Sequence, residues 1–552
     1  MQKATLLTLA LSVSALFASA QSTTEAPSLK TFESGKVYSI KNVHQHKFAA
    51  AMPQTGDMAC SSTLNLACLF TITPVEGETS TYTIKPYADD TKVVYSIKVA
   101  NADNTVGIKA ADNDANTQWK IADAPKTDYV TIISSKSTAT DGYWNHRGTN
   151  ADWNLSGIGG YTANANNPGS FWTIAEVSNE DIATAKNNFA NIYSTISSDQ
   201  ISDKVGYYSR ALIDETKSKI TNATDNKTAY NSAIPFAKLI NYPVDGKVYN
   251  LYALQSDGTK NYPGKTEGKW VAQRLENNTY KFVNTTADSE GLKNKQGKTK
   301  YSVSIKQRKQ IGALTLQIDG ETNYLCVGSN GVVDRLNAGF NSYGDDKFST
   351  DFMFEEVSST DYAGHAVTFT ESTDGKAYAT LNLPFATTIP AGVTAYKMVE
   401  NTGSSVKLEV YKNEKEVLPA NTPVLLQANE AGKKTFAPAT YKAQETTGFS
   451  GTLAATAVTA ANTYILAKDG DAVKFCKLST TNNTVNANKA YFTLTAPAAN
   501  ALNFDFGGVA TGIENAVADK ANNAPIYDLS GRRVMNAVKG GIYIQNGKKF
   551  VK

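Results

Sequence analysis

In the first third of the chain, one arrangement of apolar and polar positions occurs three times. An alternating strand leads to a turn rich in Gly, Asn or Asp, then to a second alternating strand. A short closing strand follows, in which an aromatic residue stands two positions before an Ile. The segments are KFAAAMPQTGDMACSS closed by CLFTIT, YSIKVANADNTVGIKAA closed by TQWKIA, and GYWNHRGTNADWNLSG closed by SFWTIA. Alternation over a few residues turns one face of a strand inward, and the turn residues between two such runs predict a hairpin. The closing aromatics Phe70, Trp119 and Trp172 are 49 and 53 residues apart, so the pattern predicts three copies of one β unit.

A longer repetition contains this one. SGKVYSIKN at Ser34–Asn42 returns as DGKVYNLYA at Asp245–Ala253, and FWTIAEVS at Phe171–Ser178 returns as FMFEEVS at Phe352–Ser358. Two modules therefore open and close with the same phrases, over 31–178 and 243–358, and the second is the shorter. Only its last unit, NYLCVGSNGVVDR followed by FMFEEV, is clear in the pattern. Between them, residues 179–240 place apolar residues three and four apart after the capping sequence Ser178-Asn179-Glu180-Asp181, which predicts a helical hairpin.

From 361 to 506 the alternation continues without helices, broken by Pro-Ala-Gly and Asp-Gly turns, and predicts a β-sandwich-like domain. A Gly- and Asn-rich linker, 507–524, leads to a tail at 525–552 with two short strand pairs. The predicted fold class is thus mainly β and multidomain, with two similar modules, a helical joint, a sandwich and a small terminal β-unit.

Three units of about fifty residues, each a hairpin plus an aromatic-closed strand, resemble the ricin-type β-trefoil. Thr117-Gln118-Trp119 stands loosely where that family carries Q-x-W. The resemblance covers Thr31–Val177 and, more faintly, Pro243–Val357. The tail elements Tyr527-Asp528-Leu529-Ser530-Gly531-Arg532, Gly540-Gly541-Ile542-Tyr543 and Gly547-Lys548-Lys549 resemble the C-terminal sorting domain of type IX secretion in Bacteroidota, although the tail is shorter than that domain. That resemblance implies the secretion machinery as a partner.

Composition narrows the function. The first twenty residues have an early Lys3, an apolar run and Ala18-Ser19-Ala20, the layout of a secretory signal cleaved before Gln21. Nothing later reaches about 18 uninterrupted apolar residues, so no transmembrane segment is expected, and the localisation predicted is extracellular or on the outer-membrane surface. With 54 basic and 51 acidic residues, the charge offers no argument for nucleic acid. Of the four cysteines, only Cys60 and Cys68 are close in sequence, and they either pair across a hairpin or stand as two buried thiols.

Catalytic signatures are missing: the sequence has no H-E-x-x-H, G-x-S-x-G, C-x-x-C, P-loop or dinucleotide-binding glycine run. His44-Gln45-His46 would share a strand face, but no third ligand is nearby, so neither a metal nor a cofactor is expected. The expected function is non-catalytic carbohydrate binding, with an adhesin or structural surface protein as the alternative. Sugars are held by aromatic faces and by Asn, Asp and His. Trp144, Asn145, His146, Asp152, Trp153 and Asn154 in the third hairpin offer that chemistry. Against them, Trp153 falls where Met58 and Val106 stand in the other units, and one of Tyr143 and Trp144 faces inward.

Overall fold

The computed structural model describes residues 28–507 and 525–551, apart from 97–105, 113, 127, 136–141, 151–152, 154, 162–166, 287–291, 293–301, 308–311, 337–347, 460–461, 480–482, 496–498, 530, 536 and 546–547. The expected secretory signal lies outside the described residues. The chain is mainly β, with 44% strand and 13% helix. It divides into two compact units, one holding residues up to 203 and 207–241, the other 204–206 and 242–552.

In the first unit twelve strands follow one another: β1 (Tyr38–Asn42), β2 (Phe48–Ala51), β3 (Met58–Ser61), β4 (Phe70–Pro74), β5 (Thr81–Pro86), β6 (Lys92–Ser96), β7 (Val106–Ala110), β8 (Gln118–Asp123), β9 (Val130–Ser134), β10 (Tyr143–Asn150), β11 (Leu155–Tyr161) and β12 (Trp172–Glu176). Their pairing closes a ring. β1 pairs with β4, β4 with β5, β5 with β8, β8 with β9, β9 with β12, and β12 again with β1. The remaining strands form three hairpins, β2–β3, β6–β7 and β10–β11, which meet through β11–β3 and an Asp57–Gly107 bridge. A six-stranded barrel capped by three hairpins, with one hairpin in each four-strand repeat, is a β-trefoil.

The aromatic residues explain why the ring closes. Phe70, Trp119 and Trp172 stand at the first or second position of the fourth strand of each repeat and are all buried. Each indole N–H donates to a second-strand carbonyl of its own repeat: Trp119 to Val94 O and Trp172 to Trp144 O, both at 2.9 Å. Cys60, Cys68 and Cys326 are buried free thiols, and Cys476 is free and half-buried. Burial pushes the Cys60 and Cys68 thiols up to about 12, so both behave as small apolar residues.

The helical joint has three helices, not the two of a hairpin: α1 (Asn179–Ala190), α2 (Arg210–Thr221) and α3 (Asn226–Ser232). Ser178, Ser209 and Asp225 cap them, accepting from the N–H groups of Asp181, Leu212 and Thr228. The third helix forms because the Asp225 cap is followed by Ala229 and Tyr230, which bury against the trefoil. Tyr230 donates its hydroxyl to Ala51 O at 2.7 Å. Asp89, only 3% exposed, accepts from Lys227, Asn231 and Thr91.

The second unit opens with β13 (Val248–Leu254), β14 (Lys260–Asn261), β15 (Lys269–Arg274), β16 (Tyr280–Asn284), β17 (Val303–Gln307), β18 (Leu314–Ile318), β19 (Tyr324–Val327), β20 (Val333–Leu336) and β21 (Phe352–Glu356). Here too six strands close a ring, in the order β13, β15, β16, β17, β18, β21 and back to β13. Registers match as well. Tyr38 faces Phe70 and Glu176 in the first module, and Tyr249 faces Trp270 and Glu356 in the second. The ion pairs Lys36–Glu176 and Lys247–Glu356 repeat at 2.8 Å.

The domain at 361–506 is built on one long sheet. Its strands Ala377–Leu381 and Val424–Ala428 are buried on both faces, which suits their nearly continuous apolar sequences AYATL and VLLQA. One core holds Ala379, Leu381 and Leu426, and the other holds Tyr378 and Leu425. The first of these cores includes Val248, Val271 and Val283 of the second trefoil. The register that places Val271 against Val283 places Thr71 against Lys85 in the first module, where both are half-buried. The two copies share a barrel but differ in what that face of the barrel can cover.

Candidate functional site

The third hairpin is built from β10 and β11, with Trp144 opposite Gly160 and His146 opposite Ile158. Trp144 and Trp153 are both 0% exposed, which corrects the expectation that they form a ligand platform. Trp144 lies edge-on to Trp119 and to Trp172, with ring centroids 5.3 and 6.0 Å apart. Its backbone position is that of Val94 in the second repeat, a core position filled by a larger side chain. Trp153 donates its indole N–H to Thr55 Oγ1 at 3.0 Å and fills the hairpin cap. A ring enclosed on all sides offers no face to a sugar.

Asn145 is also interior. Its Nδ2 donates to Ser170 Oγ at 2.9 Å and to Asn167 Oδ1 at 3.2 Å, so it holds the loop that leads into β12. Asn42 holds the same loop from the other side, donating to Gly169 O and Phe171 O. Its Oδ1 accepts from the N–H groups of His44 and Gln45 and so shapes the exposed His44–His46 turn. Asp152 and Asn154 lie outside the described residues.

Of the four that are described, His146 keeps partial exposure at a polar edge. Burial, with the charges of Lys47 and His44 nearby, holds its imidazole below the ordinary value. Lys47 donates to Ser156 Oγ at 3.0 Å on the adjoining strand. The structure therefore brings His44, Lys47, His146 and Ser156 into one neighbourhood. Among the described residues, no group of three His, Cys, Asp or Glu side chains is placed to hold a metal ion.

Among the described side chains of the hairpin strands, Phe48 on β2, Tyr143 on β10 and Tyr95 on β6 are half-buried, and the sequence reading missed Tyr95. Lys109 Nζ lies 5.1 Å from the Tyr95 ring centroid. Lys109 also reaches Asp112 at 2.8 Å and Asp114 at 3.2 Å. These bonds, first that from Asp112, raise the Lys109 ammonium above its usual range; the Lys109 bond lowers the Asp112 carboxyl, and the Asn116 backbone N–H, followed by Lys109, lowers that of Asp114. Asp114 caps the single turn Ala115–Thr117 that leads into Trp119, so the carboxylates stand on a short segment fixed by the barrel. The available signal was the ADNDAN run directly after the hairpin, which brings two carboxylates and an amide beside an aromatic strand.

The second module has a more closed counterpart. Tyr252 donates to Glu355 at 2.7 Å, Lys260 reaches the same oxygen at 2.9 Å, and Lys260 Nζ lies 4.2 Å from the Tyr252 centroid. Tyr252 is buried, and the half-exposed Tyr262 lies 5.5 Å from it.

No family model matches the chain. No curated protein matches it in sequence. Solved structures with similar parts include BEL β-trefoil, at 17% identity over 27% of this chain and 99% of that one, TM-score 0.23. A Polyporus squamosus lectin, bound in its structure to the sialylated epitope Neu5Aca2-6Galb1-4GlcNAc, aligns at 16% identity over 46% and 92%, TM-score 0.23. An exo-β-1,3-galactanase from Clostridium thermocellum aligns at 13% identity over 27% of this chain and 31% of its own, TM-score 0.22. The trefoil assignment rests on the closed strand pairing within this chain.

Proposed function

We propose that the protein is a non-catalytic, lectin-like carbohydrate-binding protein that is exported and displayed outside the cell. Its first trefoil makes the sugar contact, and its C-terminal tail engages the secretion machinery. The observation that carries the sugar reading is the half-exposed Tyr95 ring with Lys109 on one hairpin, beside Asp112 and Asp114 on the segment that follows it. An aromatic face for sugar C–H groups, with carboxylates and an ammonium for hydroxyls, is the chemistry such ligands require. His146 on the third hairpin and Lys47 at the start of the first supply a second, purely polar contact region. The export reading draws its support from the leader-like N-terminus and the tail motifs.

The test is a glycan array probed with the full chain and with Tyr95→Ala. The reading requires binding by the parent and its loss in the variant, with both giving the same near-ultraviolet spectrum. Absence of binding to any glycan would instead favour an adhesin or a structural surface protein. Binding unchanged by Tyr95→Ala would place the contact elsewhere on the trefoil.

A further inference from the structure

The last residues form a small sheet of four strands, Ile526–Asp528, Arg533–Val534, Ile542–Gln545 and Lys548–Val551, paired antiparallel. Register decides which side chains share a face, since residues directly opposite one another point the same way. Ile542 pairs with Val551, Ile544 with Lys549, and Tyr527 with both Ile544 and Arg533. One face therefore presents Ile542, Ile544, Val551 and Tyr527 together with Lys549 and Arg533. The other carries the neighbouring rings of Tyr543 and Phe550, tilted at 41° to one another, with Tyr543 buried.

The first face is open in the whole chain. Ile542 is 44% exposed and Val551 66%, and Met535 and Val538 stand out at the adjoining turns at 83% and 67%. Six of the ten large apolar side chains exposed among the described residues belong to this sheet and its turns. Charge is concentrated there too. From 525 to 552 the sequence has six basic residues and one acidic residue, Asp528, a net +5, whereas the whole chain carries +3. The remainder is therefore net −2, and the cationic character of the protein resides in its tail.

We infer that this face binds an anionic lipid surface. Two features favour lipid over a protein partner. Charged residues are depleted from the centre of protein–protein interfaces, yet here Lys549 and Arg533 stand directly opposite Ile544 and Tyr527 within the apolar face. Long cationic side chains beside aliphatic and tyrosine side chains fit the boundary between acyl chains and headgroups. There the apolar atoms enter the lipid, while the charges reach back to the phosphates. The inference is independent of the sugar reading, since it concerns a different domain and a different ligand.

The test is co-sedimentation of the full chain with vesicles of phosphatidylcholine alone and of phosphatidylcholine with phosphatidylglycerol. The expected result is binding to the anionic vesicles about tenfold or more above the neutral ones, weakened by salt. The double variant R533E/K549E should lower it by about tenfold or more. The double variant I542S/V551S should lower it also on vesicles of equal charge. All four positions are exposed, and the glycan array reports separately whether the trefoil still works. Equal binding to both vesicle types, binding to neither, or variants that bind like the parent would overturn the inference.

Discussion

The phenolic oxygen of Tyr38 accepts a hydrogen bond from the backbone N–H of Glu33 at 2.8 Å, tying a barrel strand to the turn that precedes it. The same bond joins Val244 N–H to Tyr249 at 2.9 Å and Val538 N–H to Tyr543 at 2.9 Å, each across five residues. In all three places a glycine with positive φ stands three residues before the tyrosine: Gly35 at 83°, Gly246 at 80° and Gly540 at 86°. The G-K-V-Y phrase that marks both modules is thus a turn with a tyrosine latch, and the tail carries it as well.

Two of these turns differ in surroundings, and that predicts unequal costs. A Cβ on Gly35 would meet nothing within 4 Å, whereas one on Gly246 would lie 2.6 Å from the Ala439 backbone carbon. Gly35→Ala should cost about 1 kcal/mol, the left-handed penalty alone. Gly246→Ala should cost roughly 3 kcal/mol or more, because backbone must also move. Urea denaturation of the two variants measures the difference, and equal losses would contradict the packing of the second turn on residues 439–440.

Gln273 ties the second trefoil to the domain that follows. It is 1% exposed, its Nε2 donates to Ala439 O at 3.1 Å, and its Oε1 accepts from Ala386 N–H at 2.9 Å. Gln273→Leu leaves both backbone groups without these partners and should cost roughly 2–4 kcal/mol. Because the two parts also share an apolar core, calorimetry should show residues 243–358 and 361–506 melting in a single transition that moves down together. Two separate transitions in the parent would refute this.

Asp89 gives the first unit an acid-sensitive joint. Burial alone would raise its carboxyl. The bonds from Thr91, Lys227 and Asn231 outweigh burial and hold it at about 2, below its unfolded value. A depressed folded value means the stabilisation is complete above pH about 4 and is lost as pH falls from about 4 to about 2. It amounts to roughly 2 kcal/mol. Denaturation of the parent and of Asp89→Asn across this range should show a gap at pH 6 that closes near pH 2. A gap that stays constant with pH would mean that the carboxylate charge is not responsible.

How much could be read in the sequence followed from how much each side chain had to do. The first trefoil was legible because Phe70, Trp119 and Trp172 recur with an Ile two positions on, and the barrel needs a large ring there in every repeat. The second was only partly legible, because β17 opens with Val303 at the position held by Trp119 in the first. The third helix was missed since Asn226–Ser232 is too short and polar to show a period, and its burial depends on contacts with Ala51 and Asp89 far away in sequence. The candidate site suffered from the ambiguity of alternation. Tyr143 and Trp144 are equally good inward residues on paper, and only closure of the hairpins over the barrel puts the indole inside.

That ambiguity yields the sharpest test of the site. Trp144→Ala removes a fully buried ring between Trp119 and Trp172 and should cost about 3–5 kcal/mol, the usual loss for a large core aromatic. Tyr95→Ala removes a half-exposed ring and should cost about 1 kcal/mol or less. Binding should follow the opposite order under conditions where both variants are folded. Tyr95→Ala should lose glycan affinity at nearly full stability, whereas Trp144→Ala should keep its affinity at reduced stability. Thermal melts and glycan titrations of the same two preparations decide it. A folded Trp144→Ala that binds no glycan, beside a Tyr95→Ala that binds normally, would return the site to the third hairpin.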